Sequence, residues 1–297
     1  YISGKGLKCP PELPEPYASE LAMVRAESNH QVKEMCFKLN SLLEEVNAGF
    51  TLDYQILLED HTKGQMRERH LAKFLRMSAY IHLKNEPEAI KAFFQNLFGG
   101  KPLQSDVYDY AAVENEIRGK LLKAGGAAFV PEDSKAFLPL EDVRKIIIAA
   151  GGIPTYPFLA DDANGKFTDF ERDVEQAAAT LKDKGFYSVE FITTRNSMDV
   201  LEKYAEYLYN QGFIVTFGTE HNTPAMEPVK LSVRGGNELS DLLKQINYEG
   251  ACVIAAHQHL IAEGKDGYIV KTGIPNPDFN RQQLIDMGHE IIKKIID

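Results

Sequence analysis

The chain has 297 residues, 44% of them hydrophobic and 26% charged. This is the composition of an ordinary folded protein with enough length to bury a sizeable core, and it excludes a disordered, collagen-like or fibrous chain. The net charge of −10 argues against coating a nucleic acid, which needs clustered Lys and Arg to displace counterions, and no run of about 18 apolar residues is present to span a membrane.

The stretch up to Ser19 is broken by Pro10, Pro11, Pro14 and Pro16 and cannot be a regular helix. It opens on Tyr1 rather than Met and lacks the basic-then-apolar layout of a signal peptide, so a longer natural chain is expected. Helices are predicted from Asn29 to Val46, from Glu68 to Leu83, and after Pro87 to Gly99-Gly100, each from apolar residues recurring at three- and four-residue steps. No strand alternation is strong before Gly126. Asp60-His61 reads as loop.

The rhythm then changes. Ala127 to Val130 reads as a short strand and Leu138 to Ala150 as a helix closed by Gly151-Gly152, after which Ile153 to Pro157 reads as a buried strand end. Thr168-Asp169-Phe170-Glu171 has the form of a capping box for a helix running to Gly185. A strand at Tyr187–Ile192, a helix at Asn196–Asn210 and a strand at Phe213–Phe217 complete a βαβ unit, which implies a parallel sheet. Two further helices are expected, Ser240–Ala262 with a break near Gly250, and one following Pro277 to the end. No internal repeat is evident.

Polar residues gather just after the strand ends: Tyr156, Glu190 to Arg195, and Glu220-His221-Asn222. In parallel α/β barrels this is where sites are built. Imidazole and carboxylate side by side at Glu220-His221 could share a metal or a proton, or could bond the backbone of their own turn. Arg67, Arg69 and His70 open a helix, where guanidinium groups and free N–H groups could clamp a phosphate or carboxylate, or simply ion-pair in solvent. Arg195 is a second candidate anion contact. His257 and His259 are two apart on a helix and cannot ligate one ion, and the three cysteines, Cys9, Cys36 and Cys252, form neither a disulfide framework nor a metal-ligand spacing. Cysteine usage points to a reducing, cytoplasmic setting.

The segment Ala149-Ala150-Gly151-Gly152-Ile153-Pro154-Thr155-Tyr156-Pro157 resembles the Gly-Gly-Ile-Pro then Ala-His-Pro stretch of PHP-domain (polymerase and histidinol phosphatase) proteins. Val189-Glu190-Phe191 resembles that family's next strand, and Gly218-Thr219-Glu220-His221-Asn222 its late Gly-Ser-Asp-x-His motif. Arg67 to Ala72 resembles the Arg/His segment in the helical insertion of its small phosphoesterase subgroup. The resemblance implies a partial or distorted β/α barrel of the TIM-like, seven-stranded type, with residues 1–126 a remnant plus helical insertion, 127–235 the carboxyl-terminal part of the barrel and 236–297 terminal helices. It also implies a hydrolase: a phosphoesterase that uses divalent metal (Mn, Zn, Fe or Mg) on a phosphorylated small molecule. Glu220 and His221 would be metal ligands and catalytic groups. Arg67, Arg69, His70, Tyr156, Glu190, Arg195 and Asn222 would contact the substrate.

The chain departs from the family pattern at several points. The early His-x-His and Asp-His motifs would precede Tyr1, Tyr156 replaces a His, Asn222 replaces the last His, and Glu220 stands for an Asp. The metal site is therefore expected to be incomplete in this chain or lost from it. The alternative is a degenerate, non-catalytic barrel that binds a sugar or anion. A sugar-isomerase barrel would rest on the βαβ rhythm alone. Pairing with a second copy, a homo-oligomer, could complete a truncated sheet.

Overall fold

A computed structural model describes residues 2–219 and 228–296. These divide into two compact units, one of residues 18–138 and the other of residues 2–17, 139–219 and 228–296.

The first unit is helical. It comprises α1 (Tyr17–Glu45, whose first residue belongs to the other unit), α2 (Tyr54–His61), α3 (Glu68–His82), α4 (Pro87–Leu97) and α5 (Tyr110–Ile117), the last running into one π-helical turn. The periodic stripes form its core: Val32, Met35, Leu39 and Leu43 of α1, Leu71, Leu75 and Ala79 of α3, and Ile90 and Phe94 of α4. The buried Arg76 donates to Glu114 at 2.9 Å and stacks 4.5 Å from the Tyr110 ring, so its charge is both paired and hydrogen-bonded. Two predictions fail here. Asp60-His61 closes helix α2, whose N-cap Asp53 accepts from the Gln55 and Ile56 amides. Ala127-Ala128 forms a turn and Phe129-Val130 no regular element, so no strand is present; the chain folds back so tightly here that a Cβ on Gly126 would lie 2.4 Å from the Leu121 carbonyl carbon.

The second unit is built on an open four-stranded sheet, β1 (Ser3–Lys5), β2 (Ile153–Phe158), β3 (Ser188–Ile192) and β4 (Ile214–Gly218), in that spatial order. β2, β3 and β4 run parallel, while β1 pairs antiparallel with β2. Its helices are α6 (Leu140–Ala149), α7 (Val174–Asp183), α8 (Met198–Asn210), α9 (Asp241–Ala262) and α10 (Arg281–Ile296). Phe158, Val189, Phe191, Val215 and Phe217 pack on one face against α7 and α8, with the start of α9 at the edge. Ile153 and Ile214 pack on the other against α9 and α10.

The expected TIM-like barrel, partial or distorted and of the seven-stranded type, is therefore not what forms. A βαβ rhythm is common to open and closed parallel sheets, so it cannot separate them. Closure needs both edge strands free to pair. Here the Phe217 amide on β4 donates to Asn247 Oδ1 of α9 at 2.8 Å, and the antiparallel β1 ends the other edge. Gly250 does not break α9; a Cβ there would sit 2.1 Å from the Val215 carbonyl oxygen, so glycine lets the helix press onto β4. α7 begins at Val174 under the cap of Asp173, while Thr168 and Glu171 bond reciprocally in a separate turn before it.

A small recurrence appears that residue identity conceals. Asp162, Val233 and Val270 each donate their amide to the carbonyl four residues on (Lys166, Asn237, Ile274) and accept from the amide three residues on (Gly165, Gly236, Gly273). Those three glycines have φ of +76°, +84° and +84°. Each tight hairpin leads towards a helix, α7, α9 or α10. Glycine is the shared feature because it alone takes that conformation without strain.

Candidate functional site at the carboxyl ends of the strands

The parallel register decides which strand residues can meet. Tyr156 lies opposite Val189, whereas Glu190 lies opposite Pro157 and Thr216, so Tyr156 and Glu190 project from opposite faces of the sheet. Tyr156 sits among Phe158 and Phe170 and donates its hydroxyl to Glu171 Oε1 at 3.1 Å. Burial, then the neighbouring Glu171 charge, pushes its phenol well above the ordinary range. Burial also raises Glu171, against the lowering effect of its bonds from Leu159, Tyr156 and Thr168. Glu190 pairs with Lys5 Nζ at 2.5 Å on the other face and lies beside Gly218, where a Cβ would meet its Oε1 at 3.1 Å.

Of the other residues singled out from sequence, Glu220, His221 and Asn222 lie outside the described residues. Arg67, Arg69 and His70 belong to the helical unit. His70 Nδ1 accepts the Arg67 amide at 3.0 Å and so caps α3, and Arg67 reaches Glu132 at 3.4 Å. Burial, helped by Arg69, lowers the His70 pKa and keeps the ring in the neutral form that can accept. Arg69 is exposed on the first turn.

Arg195 is placed differently. It ends a short 3-10 turn directly after β3 and lines a crevice of about 420 Å³ with Ile192, Thr194, Thr219, Pro228, Lys230 and Ser232. Ile192 closes β3 and Thr219 follows β4, so the crevice lies outside the carboxyl ends of two adjacent parallel strands, the position at which open α/β sheets hold ligands. Its polar lining is one guanidinium, one ammonium and three hydroxyls. Among the described residues that line it none is acidic. Lys230 forms a pair with Glu238, and both side chains are largely exposed.

The rim is held rigidly. Asp161, 2% exposed, accepts from Arg234 Nη2 at 2.7 Å, from Asn196 Nδ2 at 3.1 Å and from the Ser197 amide at 3.2 Å. Arg234 also donates to the Arg195 carbonyl at 3.0 Å and to the Asp162 carbonyl at 2.5 Å, and its amide donates to the Asn196 carbonyl. Three separate segments, after β2, after β3 and following residue 228, are thereby fixed to one another. The sequence singles out Arg195 as a candidate anion contact but gives no separate role to Thr194, Thr219, Lys230 or Ser232 and no sign of the Asp161–Asn196–Arg234 lock. The acid and its partners are more than 30 residues apart in sequence, and only the Asp162–Lys166 hairpin hints that this loop is ordered.

Among the described residues no group of three or more His, Cys, Asp or Glu side chains is placed to hold a metal ion. Glu220 and His221, the ligands that the resemblance implies, lie outside the described residues, and the described lining of the crevice offers donors suited to an anion. No helix among the described residues is long and apolar enough to cross a membrane. No protein-family model matches the chain, and no match was found among curated proteins or solved structures.

Proposed function

We propose that the chain binds a phosphorylated small molecule, such as a sugar phosphate, in the crevice at the carboxyl ends of β3 and β4. The observation that carries this reading is the convergence of Arg195, Lys230, Thr194, Thr219 and Ser232 on one pocket outside the strand ends. A guanidinium matches phosphate oxygens as a two-pronged donor, an ammonium adds a compact charge, and hydroxyls complete the shell. The Arg234 lock orients the Arg195 backbone before any ligand arrives, which reduces the ordering cost of binding.

Hydrolysis of that phosphoester is the second reading. It rests on Glu220-His221, which follow Thr219 directly in the chain and resemble the late PHP metal motif. A test separates the two. Titration calorimetry with glucose 6-phosphate should give one site, weakened about tenfold or more by Arg195→Met or Lys230→Met, since a charged hydrogen bond contributes about 1.5–3 kcal/mol. Absence of binding at millimolar ligand, or unchanged affinity in both variants, would overturn the proposal. Release of phosphate that disappears in Glu220→Gln would favour the hydrolytic reading; binding without release would leave a binding protein.

A further inference from the structure

A second cleft lies at the opposite, amino end of the sheet and is the larger of the two, about 650 Å³. Its walls come from α6, the Gly151-Gly152 turn into β2, the end of α9 and the third of the recurring hairpins. Among the described residues, five cationic side chains line it, Lys8, Arg144, Lys145, Lys265 and Lys271, against a single acidic one, Asp266. Each of the first four has a carboxylate partner just beyond the lining, so the excess of positive charge is that of the cleft wall itself.

The carboxylates that pair with these cations stand outside the lining. Lys8 bonds Glu12, Lys265 bonds Glu263, and Lys145 approaches Asp142 only to 3.6 Å. All three of these pairs are solvent-exposed, and such pairs contribute little, so a multivalent anion can displace them. Lys271 makes no ion pair among the described residues and projects from the hairpin tip. Arg144 is held in place: Glu141 engages it through two bonds of 2.9 and 2.8 Å, and its guanidinium lies against Gly185 and Gly273, where a Cβ would meet Nη1 at 3.0 and 2.3 Å. Glycine at 273 is thus needed both for its positive φ and for this close approach.

The remaining lining is apolar. Ile148, Ile261, Ile269 and Val270, together with the Tyr17 ring, offer a surface for a planar or hydrophobic group. A volume of this size suits a small organic ligand rather than a lone ion. We infer that this cleft binds a nucleotide-like molecule, with a di- or triphosphate among the lysines and Arg144, and a ring system against the aliphatic wall. The site is separate from the crevice at the carboxyl ends, and its assignment does not depend on what that crevice binds.

The test is calorimetric titration of the full chain with ADP, adenosine and pyrophosphate at low salt. ADP should bind at one site, with affinity falling as salt rises. The double variant Lys145→Glu/Lys271→Glu, at two exposed positions, should weaken ADP at least tenfold. Lys123→Glu/Lys203→Glu, which makes the same charge change at exposed positions elsewhere, should leave it unchanged. No heat with ADP at millimolar concentration, equal affinity in the Lys145/Lys271 variant, or equal loss in the Lys123/Lys203 control would overturn the assignment. Adenosine binding as tightly as ADP would remove the role of the cations, and pyrophosphate binding as tightly as ADP would remove that of the apolar wall; either result overturns the nucleotide class.

Discussion

Gly250→Ala tests whether α9 lies against β4. In an exposed helix interior, alanine in place of glycine stabilises by about 1 kcal/mol, because glycine loses more backbone freedom on folding. At Gly250 the added methyl would sit 2.1 Å from the Val215 carbonyl oxygen and 3.0 Å from the Thr216 methyl. An oxygen of the central sheet cannot yield as a flexible side chain would, so the helix must move by more than an ångström to restore contact distance. Overpacking of that kind costs about 1–3 kcal/mol and outweighs the propensity gain. The melting temperature should drop by about 2–4 °C per kcal/mol, and the urea midpoint should fall with it. Gly119→Ala is the internal control. Nothing lies within 4 Å of its added methyl, so alanine there should be neutral or stabilising. If Gly250→Ala raised the melting temperature as Gly119→Ala does, the close packing of α9 on β4 would be wrong, and with it the reason the sheet remains open.

Gly288→Ala should destabilise for the same reason, its methyl falling 1.9 Å from the Cys252 carbonyl oxygen, and thermal melting reads it directly. Arg234→Met strips the buried Asp161 of its cationic partner and should lower stability by about 3 kcal/mol, whereas Arg234→Met combined with Asp161→Asn should recover much of the loss in urea titrations. His257 is 1% exposed, bonded through Nε2 to the Gly151 carbonyl, and burial lowers its pKa below 6.5. The unfolded chain then binds the proton more readily, so this contribution is complete above pH 6.5 and is lost as pH falls from 6.5 through the folded-state value; His257→Gln should flatten the stability–pH curve in that window. Among the cysteines, Cys9 is exposed while Cys36 and Cys252 are buried, with burial pushing the Cys36 thiol to about 11. A thiol reagent should therefore modify one cysteine in the native protein and three after denaturation.

Much of the fold was legible because periodicity reflects burial. The stripe Leu71, Leu75, Ala79 announced α3, and the apolar runs at Ile153, Val189 and Val215 announced the parallel strands. β1 was not legible: Ser3-Gly4-Lys5 has no apolar pattern and becomes a strand only by pairing with Ile153 to Thr155, some 150 residues away. Gly250 misled because a helix interior glycine is a breaker by propensity and a close-packing residue by tertiary context. The barrel expectation failed because the feature that keeps the edge of β4 unpaired with another strand is one side chain, Asn247, on a helix that follows it.

The site divides in the same way. Arg195 could be found by its place after a strand. Pairing Tyr156 with Glu190 in one rim ignored the two-residue period, which puts them on opposite faces once Tyr156 is aligned with Val189. Thr194, Thr219, Lys230 and Ser232 are ordinary residue types drawn from two loops, and only folding gathers them. The amino-end cleft is harder still, since its cations come from four stretches of sequence and none forms a motif.

The most direct test of the carboxyl-end crevice is a titration of the ¹⁵N-labelled chain with glucose 6-phosphate, followed by amide shifts. A saturable response concentrated at Thr194, Arg195, Thr219, Lys230 and Ser232 is expected, and it should disappear in Arg195→Met. A response absent from these amides, or confined to Lys8, Lys145 and Lys271 at the other end of the sheet, would contradict it.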